Sequence, residues 1–350
     1  MRVLVTGNHG YIGTVMVPIL KDAGHEVTGL DSDYFRDCWF GDEPADVPTV
    51  RKDMRDIEVS DLEGYDAVIH LAAISNDPVG DLNPDLTYDV NYRASVRLAE
   101  LAKQAGVPRF LFASSCSLYG KAEEDILLDE TAAFHPVTPY GHSKVLVEQD
   151  VSGLADDDFS PTYMRNATAY GLSPRLRGDI IVNNLVGFAY AQGEVLVKSD
   201  GTPWRPLVHI RDISRAFLEV LHAPRELVHN QAFNIGGTDE NYQIRDVATI
   251  VEEVVPGSRV VYAEGGGPDL RDYRVTCDKF MGAFPDFRLD WSVRTGAEEL
   301  LAALRDYELT LDDFLGSRFV RLRRVQELVD GGSLDDALRW RVPATVDDRA

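Results

Sequence analysis

Short apolar runs alternate with helical patterns through the first half of the chain. Arg2–Thr6, Glu26–Leu30, Ala67–Ala72, Arg109–Ser114 and Thr162–Asn166 carry Val, Ile, Leu and Phe in runs of strand length. They predict strands buried on both faces. Tyr11–Ala23, Leu86–Ala105 and Tyr140–Ala155 read as the helices between them, with Gly24 and Gly106 placed to cap two of these in the left-handed conformation. Such βαβ alternation predicts an α/β fold with a doubly wound parallel sheet of the Rossmann type.

From about residue 172 the pattern loosens. Leu172–Arg177 reads as a loop, Ile180–Ala191 as a helix, and Val195–Lys198 with Gly201–Arg205 as a strand and turn. Asp212–Leu221 is a predicted helix and Phe233–Gly237 a returning strand. Gly265–Pro268 reads as a mobile loop, Ala297–Tyr307 and Asp312–Val329 as amphipathic helices, and the tail after Pro343 as frayed. The expected division is a dinucleotide-binding domain over 1–171, with returning segments near 207–250. Residues 172–206 and 251–350 then make a smaller substrate-binding lobe with C-terminal helices.

Composition narrows the partners. The 350 residues carry a net charge of −23, which excludes a nucleic-acid footprint of the usual basic kind. An anionic substrate must be met by a local arginine cluster against that field. Cys38, Cys116 and Cys277 have no metal or redox spacing and read as buried or free thiols in a reducing compartment. No histidine spacing suggests a metal. Met1–Val5 reads as a strand already committed to the fold, not a signal peptide. No run of about 18 apolar residues predicts a membrane span. A cytoplasmic protein is the expectation.

The candidate chemistry begins in the first turn, Thr6-Gly7-Asn8-His9-Gly10-Tyr11-Ile12-Gly13. Gly7 permits a tight turn, Gly10 a close approach of backbone to a pyrophosphate, and Gly13 close packing, with the helix N-terminus facing the phosphates. Tyr11 and Ile12 lie in the same turn and are expected against the cofactor. Asp31, closing the second strand, suits a ribose 2′-hydroxyl and repels a 2′-phosphate, which favours NAD over NADP although Arg36 lies near. Asp53, beside Met54, follows a third short strand and is placed to accept from an adenine amino group. Tyr140 and Lys144, four apart on one helix face, can act together. An ammonium there lowers the phenol's pKa from its usual value of about 10 toward the range of a general base.

These motifs resemble the extended short-chain dehydrogenase/reductase family, in its nucleotide-sugar epimerase/dehydratase branch. The resemblance covers roughly residues 1–280. It rests on the glycine turn at 6–13, His70-Leu71-Ala72-Ala73, Ser114–Gly120, Tyr140-x-x-x-Lys144 and Arg205–Asp212. It implies that Tyr140 is the general base, that Lys144 assists it and binds the nicotinamide ribose, and that Ser115 hydrogen-bonds the sugar 4-oxygen, with Ser114 the alternative. Leu71, Ala72 and Ala73 would line the cofactor and Asn91 would anchor the network. It further implies a nucleoside-diphosphate sugar as substrate and a homodimer joined through the helices at 86–105 and 140–155.

Oxidation at C4 is the family's shared first step. Its 4,6-dehydratases carry an acidic pair after the catalytic hydroxyl, where this chain has Cys116 and Ser117. Its decarboxylases usually place a Glu nearby. The Ser-rich segment is closest to the 4-epimerases, and a 4-epimerase is therefore the leading expectation. A dehydratase or an NAD(P)-linked keto-sugar reductase is the alternative, a non-catalytic NAD-binding sensor the remote one. Cys116 could serve a 3,5-epimerase, but a packed thiol is the plainer reading. Candidate diphosphate ligands are Arg175, Arg177, Arg205, Arg211 and the pair Arg271/Arg274, with Asn183 or Asn184 opening a cap helix. His209 and Asp212 read as structural. Thr168 stands where many relatives have Asn, which leaves the sugar and the nucleotide open.

Overall fold

The computed structural model describes residues 1–43, 47–75, 84–122, 126–263 and 271–341. The Gly265–Pro268 run and the tail after Pro343 lie outside them. A seven-stranded parallel sheet forms the centre: β1 (Arg2–Thr6), β2 (Glu26–Asp31), β3 (Thr49–Arg51), β4 (Ala67–His70), β5 (Arg109–Ser115), β6 (Ser160–Asn166) and β7 (Gln231–Ile235). Their spatial order is β3-β2-β1-β4-β5-β6-β7. The order reverses at β1, so β1 and β4 flank the crevice where ligands bind in doubly wound sheets. Thr6 pairs in register with Leu30 on one side and His70 on the other, so these strands end level at that crevice.

Alternation along β1 sorts its side chains into two layers. Val3 and Val5 join Met16 and Leu20 of α1 (Gly13–Asp22), with Phe217 and Phe280, on one face. Leu4 joins Val68, Phe110, Leu98 and Val151 on the other. Both faces are covered, which is why the strands read as unbroken apolar runs. A separate core of Val186, Phe188, Val251, Leu300 and Phe314 holds the smaller lobe together. Among the described residues no helix is long and apolar enough to cross a membrane.

Two predicted helices differ in the structure. The span 86–105 is Pro84–Tyr88, one π turn over Asp89–Arg93, and Ala94–Gln104. The span 312–329 is two helices, Leu311–Leu315 and Arg321–Asp330. Phe314 and Phe319 are both fully buried. Five residues apart on one helix they would point about 140° apart, so the chain breaks between them and buries both. Leu334 and Leu338 then fold back on Val325 and Leu328, against Tyr34, Phe35 and Ile74.

Candidate active site

The glycine turn is built for close approach. Gly7 has φ +75°, and a Cβ there would press on the Ala72 backbone. At Gly13 a Cβ would overlap the Gly7 carbonyl oxygen. The helix that follows has no side-chain N-cap and no acidic residue in its first turn, so the positive end of its dipole faces the turn unopposed and suits an anion. Asp31 accepts from the His9 amide at 3.2 Å and from the Asp33 amide at 2.8 Å, which fixes it beside the turn. Burial, and then the Asp33 carboxylate, raise its pKa. Its oxygens keep further lone pairs for a hydroxyl donor. The residues thus fit a dinucleotide.

A hydrogen-bonded relay ties the turn to the loop after β4. Ser95 Oγ donates to the Asn91 carbonyl at 2.8 Å, so it must accept from His70 Nε2, also at 2.8 Å. His70 Nδ1 then accepts from Thr6 Oγ1 at 2.7 Å. The histidine is neutral in this arrangement. Burial, with Lys144 nearby, pushes its pKa down to about 3. Asn91 both accepts from the Ile74 amide and donates to the Ile74 carbonyl, at 2.7 and 2.9 Å. It therefore anchors the loop carrying Leu71, Ala72 and Ala73. Its π turn is the kind of bulge that recurs at functional sites.

The helix Pro139–Ser152 starts at a Thr138 cap, whose hydroxyl accepts from the Gly141 amide at 3.2 Å. Gly141 lets it press on the Ser117 carbonyl, beside the end of β5. Lys144 is buried and donates to the Ala113 carbonyl at 2.7 Å. Its ammonium lies 4.5 Å from the Phe112 ring centroid and 5.4 Å from that of Tyr140. Burial lowers its pKa to about 7, with Glu148 acting in the opposite sense. Ser115 Oγ contacts Ser117 Oγ at 2.9 Å and is only partly buried. The two candidate serines separate here: Ser114 is buried and donates to Glu148 at 2.5 Å. Glu148 is in turn bound by Arg165, 2.7 Å from Nη2 to Oε2. Ser114 therefore belongs to the scaffold behind the site. So does Cys116, fully buried and donating to the Arg165 carbonyl, with its pKa driven well up by burial. That corrects the thought that it could act as an acid or base.

The predicted arginines divide. Arg175 is wholly buried, stacked 3.4 Å from the Trp39 ring centroid and donating to the His9, Phe35 and Arg36 carbonyls. It clips the glycine turn to the loop after β2 and is not a free phosphate fork. Arg177 pairs with both oxygens of Asp179 at 2.8 and 3.0 Å and reaches Ser75 at 3.1 Å. Burial works against its charge, but Asp179, with Tyr11 and Tyr140 further off, holds it protonated. Arg205 donates to the Trp204 and Arg271 carbonyls. Arg205, Arg271 and Tyr140 all bear on the buried Tyr273 phenol, so they share one neighbourhood. Arg211 stands apart, lining a cavity of about 670 Å³ with Phe40, Pro174 and Tyr307 that includes none of Ser115, Tyr140 and Lys144.

The asparagines and the adenine side hold further differences. Asn183 is buried, accepting from the Gly171 amide and donating to the Arg177 carbonyl. Tyr11 donates to the Gly171 carbonyl at 2.7 Å. Both brace that loop. Asn184 donates to the Gly178 carbonyl at 2.7 Å. Ile12 packs on the core at the start of α1, and Met54 is buried beneath Asp53. Asp53 caps a short turn and binds Arg55 with both oxygens, at 2.6 to 3.0 Å. Sequence reasoning missed Asn166, opposite Ser115 in register, whose buried Oδ1 has no hydrogen-bond partner. Among the described residues no cluster of three His, Cys, Asp or Glu could hold a metal.

Comparison with known proteins places the chain in a family and a fold. A UDP-glucose 4-epimerase of Corynebacterium glutamicum is 28% identical over 272 residues, 73% of this chain and 80% of that protein. MoeE5, solved with UDP-glucuronic acid and NAD, is 26% identical with a TM-score of 0.76, over 87% of this chain and 99% of its own. TunA, an NAD-dependent NDP-hexosamine 5,6-dehydratase, shares the fold at 24% identity and a TM-score of 0.78, over 89% and 99%. Residues 3–236, about two-thirds of the chain, match the family described as NAD dependent epimerase/dehydratase. With a cradle for the dinucleotide beside a Tyr–Lys pair, this protein belongs to that family and is an NAD-dependent enzyme of sugar-nucleotide chemistry.

Proposed function

We propose that the protein is a nucleotide-sugar 4-epimerase that works through a transient 4-keto sugar. NAD supplies the hydride acceptor at C4 and the donor for its return to the other face. Tyr140 takes the proton of the 4-hydroxyl and gives it back, while Lys144 holds charge beside the phenol. Ser115 hydrogen-bonds the 4-oxygen. The observation that carries this reading is the surroundings of Ser115. The next residue, Cys116, is sealed in the core, so neither position 116 nor 117 offers the carboxyl pair that elimination of water requires. Epimerisation needs no such pair.

Arg177 is already paired with both oxygens of Asp179 and reaches Ser75, so it holds its loop in place and is not assigned to the substrate. Arg205 and Arg271, which share the neighbourhood of Tyr273, are the arginines assigned to the diphosphate. The same reading has two copies joining through the helices near 84–104 and 139–152. Three buried free thiols suit the reducing cytoplasm.

The test is proton NMR of the purified protein with UDP-, dTDP-, GDP- and CDP-sugars in D₂O, UDP-glucuronic acid included. A C4 epimer without deuterium uptake is expected. Deuterium at C3 or C5, or loss of water, would overturn the assignment. Tyr140→Phe should cut turnover by at least about 100-fold while still binding NAD; retained activity removes Tyr140 as the base.

A further inference from the structure

We propose that Arg321–Arg341 forms the outer wall of the adenosine half of the NAD site and sets the rate of cofactor exchange. In a doubly wound sheet the pyrophosphate sits on the first turn, and the adenosine lies over the ends of β2 and β3. The C-terminal segment is fastened to both of those ends. After β2, Trp340 Nε1 donates to the Ser32 carbonyl at 2.6 Å, one residue beyond Asp31. Tyr34 donates to the Leu338 carbonyl at 2.5 Å, and Arg324 donates to the Tyr34 carbonyl at 3.3 Å. After β3, Arg55 donates to the Ala337 carbonyl at 2.9 Å, and Arg339 pairs with Asp56. Apolar side chains continue the contact to the loop after β4. Leu328, Leu334 and Leu338 pack with Tyr34, Phe35, Trp340 and Ile74, and Ile74 directly follows the Leu71–Ala73 loop.

This arrangement explains the position of Asp53. Its carboxylate is spent on Arg55, which passes the tie on to the C-terminal segment. Leu338 carries φ +54° without being glycine, a conformation that persists only where surroundings fix it. Its carbonyl, held by Tyr34, is one of the fixing points. Arg321 adds an independent sign. It is buried over the Phe35 ring at 4.0 Å, and its Nη1 has no hydrogen-bond partner. A ribose or phosphate oxygen of the dinucleotide would supply one. The family match ends at residue 236, so it assigns this segment no role. The proposal holds whichever sugar is turned over.

The experiment loads the full-length protein with NAD and chases it with an excess of isotopically labelled NAD. Trp340→Ala should speed release by about tenfold or more, and Arg339→Ala by a few-fold, since such changes act mainly on dissociation. Hydrogen exchange should show residues 32–37 and 321–341 protected together when NAD is bound. Release from both variants at the wild-type rate would overturn the proposal. Arg339 lies at the surface, so if Trp340→Ala fails to fold, Arg339→Ala alone decides.

Discussion

Lys144 sits in the interior with its ammonium on a backbone carbonyl, while Glu148, one turn away, is committed to Arg165. Its pKa falls from 10.5 in the unfolded chain to about 7 in the fold. Between those values the unfolded chain binds more protons than the native one, so this residue makes stability rise with pH across the window from about 7 to 10.5. Below about 7 its cost is fully present and constant. The slope reaches at most about 1.4 kcal/mol per pH unit. Chemical denaturation of the NAD-free protein at a series of pH values should show that rise, and Lys144→Met should lack it. Equal slopes in the two proteins would mean that the ammonium is solvated. Arg175 teaches a different lesson at this scale. From the chain alone it and Arg177 are indistinguishable basic residues in one loop. Only packing shows that one is enclosed by carbonyls and an indole while the other is paired with Asp179 and reaches Ser75.

At the scale of elements, the strands and the glycine turn were legible because both are local. Buried parallel strands need continuous apolar runs, and a turn that meets its own helix needs glycine where Cβ atoms would collide. Gly13→Ala should therefore cost roughly 1–3 kcal/mol through overpacking and weaken NAD binding by at least tenfold. Gly282→Ala, in a helix with open space around it, should be neutral or stabilise by about 0.5–1 kcal/mol. Paired thermal melts and NAD titrations check both; equal effects would deny that the turn is sterically closed. The π turn at Asp89–Arg93 was not legible: helical periodicity runs through it, and Asn91 is held there by the Ile74 backbone. The break after Leu315 did leave a signal, Gly316 at the helix end, which the amphipathic pattern on either side outweighed. Tyr140, Lys144 and Ser115 stand out together as candidates by their spacing and motif. The sorting of Ser114 from Ser115 could not, since it depends on Glu148 and Arg165 behind the sheet.

For the whole molecule, the dominant global quantity is the net charge of −23. Self-repulsion of that size opposes compaction, and salt screens it beyond a Debye length that shrinks from about 30 Å at 0.01 M to about 8 Å at 0.15 M. The melting temperature should rise by a few degrees over that range; a fall would mean that the surface ion pairs, such as Lys103–Asp156 and Arg294–Glu253, outweigh the general repulsion. The link between Trp340 and Ser32 has a temporal consequence as well. It joins residues 308 positions apart, so during synthesis the N-terminal half emerges long before the residues that finish one side of it. Phe35 and Ile74 then wait with apolar surface exposed, and a domain that is early in order of translation is late in order of completion. Chains interrupted short of residue 340 would carry the glycine turn and the Tyr140–Lys144 pair yet present an apolar edge around Phe35 and Ile74.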